Sequence, residues 1–307
     1  MKFANPRNDI AFKKIFGDES KKEILISFLN AVLDFKDEKE IVDIKIVNPY
    51  QVPKIEDLKE TILDIKATNR EDKHFIVEMQ SKDLYDFAKR SLYYTSKAYV
   101  EQLDKGEDYE KLQKVYFIGI CDFKIFESKH YISRHLILNK ESMQNDLSDF
   151  EFTFIELPKF KKQLSELETV IDKWTYFIKR AEKEEFIPKE LNEVQEINEA
   201  YEIITQYKWS QKELDIYEYI KKKKSEEESA LKTAEMKGEK KGLEQGLEQG
   251  LEQGLEQGKA VGEKTKQLEI ARNLLEVGLD IKTIALSTGL DTEEIEKIIL
   301  NIKSEIL

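Results

Sequence analysis

The sequence predicts an α/β fold: a β-sheet flanked by helices, followed by an all-helical C-terminal region. Apolar residues recur at helical spacing within residues 8–33. Short alternating or continuous apolar segments, rich in β-branched residues, then follow between residues 40 and 157. Strand signals end near residue 165, and the 307 residues suffice for roughly two domains of ~150 residues each.

Helix and strand signals follow one another along the first half of the chain. Asn8 is a favoured N-cap and Gly17 separates two apolar stripes, so two helical pieces are predicted before residue 34. Residues 84–104 are predicted to form a further helix. The predicted strands lie in KEIVDIKIVNP (39–49), TILDIKAT (61–68), KHFIVEMQ (73–80), VYFIGICDF (115–123) and FEFTFIEL (150–157).

The C-terminal region is predicted to be helical around a short repeat. GLEQGLEQGLEQGLEQG (242–258) repeats every four residues, and each glycine costs about 1 kcal/mol of helix stability relative to alanine. Four residues turn a helix by about 400°, so the leucines drift and form no stable seam. A flexible or marginally helical spacer is therefore favoured over an oligomerising coil. The predicted regions are a core (1–165), a helical extension (166–236), the repeat spacer (237–263) and a small three-helix module (264–307).

The predicted C-terminal module has the outline of a helix-turn-helix in its second half. Asp291 is a favoured N-cap for the last helix, whose first turn holds Thr292, Glu293 and Glu294. A helix that reads DNA places its phosphate- and base-contacting residues at this position. These acidic residues predict a module that contacts protein rather than DNA.

Composition excludes several classes of protein. The net charge of −12 argues against wholesale electrostatic capture of nucleic acid. No apolar run approaches the ~18 residues of a membrane span and no signal-peptide core is present, which predicts a cytoplasmic protein without a membrane partner. One cysteine, Cys121, excludes a disulfide framework and a cysteine-based zinc site. With three histidines in the chain, any metal is expected to be a hard ion held by carboxylates.

A pair of carboxylates across a predicted hairpin is the candidate site. If residues 69–73 form the loop, Thr68 lies opposite His74, and Asp64 then lies opposite Glu78, with Gln80 further along the same face. Opposed carboxylates repel each other unless a cation lies between them, and oxygen ligands favour Mg²⁺ or Mn²⁺. The alternative is that both are ordinary solvated charges balanced by a nearby lysine.

Three segments in this order resemble a known family. The helix NDIAFKKIFG (8–17), the hairpin LDIKA…IVEMQ (63–80) and the helix KRSLYYTSKAY (89–99) resemble the Rpn-like recombination-promoting nucleases, also described as PD-(D/E)XK family transposases. The resemblance covers the first ~160 residues, and the glycine-punctuated tail is also similar. It implies a restriction-endonuclease-like mixed sheet flanked by helices that makes metal-dependent cuts in DNA.

The resemblance also implies roles for individual residues. The first acidic position of the family motif falls on Asp64, the second on Glu78 and the last on Gln80. The broader nuclease pattern has lysine at the last position, whereas glutamine can hydrogen-bond the attacking water but adds no charge. We hypothesise that Lys66 supplies that cation; an ordinary surface ion pair is the alternative for this lysine.

Other residues near the hairpin are weaker candidates. Asp9 could add a third carboxylate, although its place at a helix N-terminus is explained by the helix dipole. Arg90 could clamp phosphate and Tyr93 could line a groove for DNA, while packing beside the core explains the tyrosine equally well.

Two functions fit these observations. The first is a Mg²⁺- or Mn²⁺-dependent DNA endonuclease. The second is a catalytically weak or inactive nuclease-fold protein that acts as an interaction or assembly module, including as a homo-oligomer, through its helical tail. RNA as substrate is a third reading, with no sequence feature for or against it.

Overall fold

The computed structural model of the protein describes residues 2–47, 50–51, 61–81 and 86–305. The end of the first predicted strand (48–49) and the start of the predicted helix at 84–85 lie outside these residues. The chain divides into two compact units, Met1–Lys224 and Ser225–Leu307.

The bounds of the elements are as follows. The helices are α1 (Asp9–Phe16), α2 (Lys22–Leu33), α3 (Phe87–Val100), α4 (Val170–Arg180), α5 (Lys189–Asn192), α6 (Gln195–Ile204), α7 (Gln211–Glu276), α8 (Ile281–Thr288) and α9 (Thr292–Glu305). The strands are β1 (Ile44–Val47), β2 (Tyr50–Gln51), β3 (Thr61–Ile62), β4 (Ile65–Asn69), β5 (His74–Gln80), β6 (Val115–Cys121), β7 (Ile132–Leu136) and β8 (Phe150–Glu156).

A mixed six-stranded sheet forms the centre of the first unit. Its strand order is β1-β4-β5-β6-β8-β7, and β2 pairs with β3 in a separate two-stranded sheet. The pairs β5–β6 and β6–β8 are parallel, while β1–β4, β4–β5 and β7–β8 are antiparallel. Helices flank the sheet, and a long helical C-terminal region follows it in the chain, so the predicted fold class is confirmed.

Each face of the sheet buries a separate apolar core. On one face, side chains such as Val77 and Ile118 pack with α1, α2, α4 and α6. On the other face, Ile76 and Phe117 pack with Phe87 and other residues of α3. The helical extension predicted from residue 166 onwards thus packs on the same core as the first two helices.

Several local predictions are confirmed. The side chain of Asn8 accepts a hydrogen bond from the N–H of Ile10, 3.1 Å away, and caps α1. Gly17 ends that helix. In the hairpin, Thr68 pairs with His74, which is the register predicted from a five-residue loop.

Two predictions about elements need correction, and the structure decides between the two alternatives for the repeat. The segment predicted as one strand at 61–68 is two strands, β3 and β4, separated at Leu63 and Asp64. Strand β7 was not predicted. It pairs with β8 at the edge of the sheet, and its residues ISRHL are partly or largely exposed, so they show no clear apolar alternation. The repeat, predicted to be flexible or marginally helical, lies within the continuous helix α7.

The helicity of the repeat has a simple physical basis. Leucine, glutamate, glutamine and lysine rank among the best helix formers and occupy the positions between the glycines. A long helix also bears the cost of nucleation once, so the flanking helical residues support the weaker glycines. Pairs four residues apart, such as Lys240–Glu244 at 3.9 Å, add a small further contribution.

Candidate active site

The candidate site lies at the C-terminal end of β5, between α1 and α3. Glu78 and Gln80 project from the face of the sheet that α3 covers, because they alternate with Val77 and Met79, which belong to the opposite face. Glu78 pairs with Gly119 of the neighbouring strand β6. A Cβ at that glycine would lie 2.9 Å from Cδ1 of Phe154, so the glycine is required for the close approach of this ring.

Asp64 reaches Glu78 through the break between β3 and β4. Leu63 belongs to the core beneath α3, whereas Ile65 belongs to the opposite core, so strand alternation is interrupted at the aspartate. The N–H of Asp64 donates to Oε1 of Glu78 at 3.0 Å. The N–H of Met79 donates to Oδ2 of Asp64 at 2.8 Å. These reciprocal hydrogen bonds hold the two carboxyl groups beside each other.

The two carboxyl groups are buried and affect each other electrostatically. Glu78 is 5% exposed, and burial first, with the negative charge of Asp64 second, raises its pKa to about 8. Burial also raises the pKa of Asp64, against the opposing effect of the Met79 N–H. Carboxyl groups in such surroundings favour a proton or a cation over two uncompensated charges.

Two basic side chains act on this pair from opposite faces of the sheet. Lys13 of α1 and Arg90 of α3 each oppose the rise in the pKa of both carboxyl groups. Arg90 is held in place by two hydrogen bonds to the hydroxyl of Tyr94, at 3.0 and 2.7 Å. Arg90 is one of the predicted site residues, whereas Lys13 is not; it lies about fifty residues from the hairpin along the chain.

Lys66, predicted to supply the catalytic cation, has a different partner in the structure. Its ammonium group lies 3.3 Å from Oε2 of Glu101, beyond the end of α3, and the lysine side chain is 12% exposed. An ion pair with an acidic neighbour was the alternative considered for this residue. The catalytic role of Lys66 stays a prediction.

The remaining candidates lie around the pair. Asp9 forms an ion pair with Lys13 at 3.1 Å, and its charge contributes to the raised pKa of Asp64. Gln80 pairs with Cys121 of β6, and its carbonyl accepts a hydrogen bond at 3.0 Å from the N–H of Asp122, the residue after that strand. Tyr93 is 40% exposed on α3, where a ligand can reach it.

The carboxylate oxygens of the site fit a hard divalent ion that takes only one or two ligands from the protein. Among residues 2–47, 50–51, 61–81 and 86–305, no three histidine, cysteine, aspartate or glutamate side chains are grouped closely enough to hold a metal. Mg²⁺ commonly binds through one or two carboxylates, with water and substrate phosphate completing its shell. Each carboxyl group here uses one oxygen for a backbone N–H, so Oδ1 of Asp64 and Oε2 of Glu78 would be the ligands.

The second unit contains the predicted helix-turn-helix. The end of α7 packs with α8 and α9 around Ala271, Ile284 and Ile295. Asp280 caps α8, and Gly289 ends it in the left-handed conformation that glycine adopts readily. In the first turn of α9, Glu294 forms an ion pair with Lys264. That this module contacts protein rather than DNA stays a prediction.

A buried carboxylate pair at the end of a central strand, in a mixed sheet flanked by helices, fits the class of PD-(D/E)XK nuclease-like proteins. A comparison with family models agrees: residues 6–234 match the PD-(D/E)XK nuclease family transposase model. The chain belongs to this family, as predicted. Residues 264–299 match the C-terminal HTH domain of the Rpn/YhgA-like nuclease family. Both matched domains are of kinds that act on or bind DNA.

Searches of curated proteins and of solved structures found no match. Within the part of the chain that the structure describes, no helix combines the length and apolar character needed to cross a membrane.

Proposed function

We propose that the protein is a Mg²⁺- or Mn²⁺-dependent DNA endonuclease in which Asp64 and Glu78 hold the ion and Gln80 orients the attacking water. One observation carries this proposal: two buried carboxyl groups, fixed by reciprocal backbone hydrogen bonds, lie two residues from a side chain that can hydrogen-bond water. Family membership supports the choice of a phosphodiester as substrate.

The chain's residues would divide the reaction between them. When bound, the ion would lower the pKa of a coordinated water and neutralise charge on the phosphate. The Gln80 amide would orient the water whose oxygen attacks phosphorus, while the Arg90 guanidinium would hold a phosphate oxygen of the DNA. The P–O bond to a sugar oxygen then breaks; the water's proton leaves to solvent, and the sugar oxygen takes a proton from solvent.

Cleavage of supercoiled plasmid by the purified full chain tests the proposal. Asp64→Asn and Glu78→Gln suit this test, because each retains an oxygen that can accept its backbone hydrogen bond. We expect nicking in Mg²⁺ that is absent in EDTA, and a loss of at least about 100-fold in either variant. Cleavage that is independent of metal, or undiminished in both variants, would remove the proposal. An RNA of matched length, assayed in parallel, distinguishes the two nucleic-acid substrates.

The alternative function, as an assembly module, has its own supporting observation. The repeat leucines of α7 are exposed, with Leu243 and Leu247 each at 75%. A leucine stripe on a helix can pack against another helix. Light scattering on the full chain and on a variant with Leu247→Ser and Leu251→Ser tests this function. A monomeric mass for both proteins would argue against assembly through the tail.

A further inference from the structure

The motif D-x-x-F-K-x-x-F-G in α1 is left without a function by the proposal above. The side chains of Phe12 and Phe16 are each 1% exposed and pack in the core, which fixes the helix on the sheet. Asp9 and Lys13 lie one turn apart, and their charged groups form an ion pair at 3.1 Å. The motif thus anchors a helix and orients one lysine.

The end of α1 packs against Ile65, the residue that follows Asp64. A Cβ at Gly17 would lie 3.1 Å from Cδ1 of Ile65 and 2.7 Å from the carbonyl oxygen of Lys13. Glycine therefore permits this close approach, and Ile65 directly follows Asp64 in the chain. This packing, which is independent of any electrostatic argument, places the end of α1 against the residue that follows the first carboxylate.

The two basic residues on either side of the site differ in their freedom to move. Arg90 is tied to Tyr94 by two hydrogen bonds, and its guanidinium also lies over the tyrosine ring. The side chain of Lys13 is 42% exposed, and its partner Asp9 is 55% exposed. An exposed ion pair of this kind is weak, so the lysine can exchange its partner for a phosphate at little cost.

We propose that Lys13 supplies the positive charge that Gln80 lacks, with its ammonium group directed at the scissile phosphate and Asp9 orienting it before DNA binds. This inference rests on the proposed nuclease function. Lys13 acts by stabilising the negative charge that develops on the phosphate. The bonds made and broken are those of the hydrolysis described above.

The structure favours Lys13 over Lys66 for this role. The ammonium group of Lys66 pairs with Glu101, and the lysine side chain is largely buried in that position. Bringing it to the phosphate would leave Glu101 without this partner in a poorly solvated place, which carries a cost. Lys13 gives up only an exposed ion pair with Asp9, which costs less.

The test compares single variants of the full chain in Mg²⁺-dependent plasmid cleavage. Lys13→Ala is expected to lower kcat about 100-fold with little change in KM, and Lys13→Arg to restore most of the rate. Lys14→Ala is the matched control, because this neighbouring lysine pairs with Glu213 and lies over Trp209. An unchanged rate in Lys13→Ala, or a comparable loss in Lys14→Ala, would overturn the inference. So would a loss of rate in Lys66→Ala alone.

Binding of Mn²⁺ to the DNA-free protein supplies a second measurement that does not depend on cleavage. A nearby ammonium group repels the ion, so Lys13→Ala should bind Mn²⁺ about fivefold more tightly than wild type, while Lys13→Arg should not. If wild type binds Mn²⁺ but cuts no DNA, the nuclease proposal fails and this comparison still decides whether Lys13 faces the site. Equal affinities would refute the placement of Lys13, and absence of Mn²⁺ binding to wild type would end both proposals.

Discussion

The buried carboxyl group of Glu78 makes a specific prediction about stability and pH. Its pKa rises from 4.5 to about 8 on folding. Below pH 4.5 the folded and unfolded chains both hold this proton. Between pH 4.5 and 8 the unfolded chain loses it while the folded chain retains it, so the free energy of unfolding falls as pH rises, by up to about 1.4 kcal/mol per pH unit. Above pH 8 the folded chain also loses the proton, and the fall in the free energy of unfolding is complete.

Glu78→Gln removes the contribution of Glu78 to this dependence, leaves that of Asp64, and retains an acceptor for the N–H of Asp64. In EDTA, we expect the variant to be about 2 kcal/mol more stable than wild type at pH 8.5 and nearly equal to it at pH 4.5. This difference is smaller than the free energy that corresponds to the whole pKa shift of Glu78, since water and the surrounding chain adjust to the ionised carboxylate. Added Mg²⁺ should stabilise wild type at pH 8.5 but leave the variant unchanged, because the ion takes the place of the proton.

Urea unfolding followed by tryptophan fluorescence measures the stability of the first unit, which contains Glu78. Both tryptophans, Trp174 and Trp209, are buried in the first unit. Glu110→Gln, at an exposed position, is the matched control and should follow wild type at every pH. Parallel pH profiles for wild type and Glu78→Gln would show that this carboxyl group is not buried as described.

Three further substitutions test the packing described above. Gly119→Ala should destabilise the first unit by about 1–3 kcal/mol in urea unfolding, because the new methyl group meets Phe154 at 2.9 Å; equal stability would contradict the close approach. Gly250→Ala has open space around it and should raise helical stability by about 1 kcal/mol in thermal circular dichroism, whereas a loss of helicity would contradict a helical repeat. Lys159→Ala leaves the buried Glu156, its partner at 2.5 Å, without a counter-charge and should cost roughly 3–5 kcal/mol in urea; a loss below 1 kcal/mol would show the pair to be solvated.

The hairpin shows how far sequence reasoning reaches. Loop length and strand alternation were sufficient to predict the pairing of Thr68 with His74, because a two-residue period leaves few alternatives once the loop is set. The same alternation treats residues 61–68 as one continuous strand, which they are not. The strand breaks at Asp64, whose hydrogen bonds to Met79 and Glu78 join residues 14 and 15 positions apart. No local pattern in TILDIKAT signals that break.

Other features depend on contacts between residues that lie far apart in the sequence, or on a whole element and not on single positions. Lys13 was not predicted as a site residue, because it comes near Asp64 only when α1 packs on the sheet, with Gly17 against Ile65. Strand β7 carries a weak signal, since an edge strand need not alternate cleanly. The repeat lies in a helix because the helix-forming residues between the glycines offset part of the cost of each glycine.

Locating bound Mn²⁺ by anomalous X-ray diffraction tests the central claim most directly. Crystals of the full chain soaked in Mn²⁺ at pH 8 should show one anomalous peak within about 2.3 Å of a carboxylate oxygen of Asp64 and one of Glu78. Crystals of Glu78→Gln, treated in the same way, should lose that peak. A well-occupied Mn²⁺ elsewhere in the first unit, with none between these two side chains, would contradict the account.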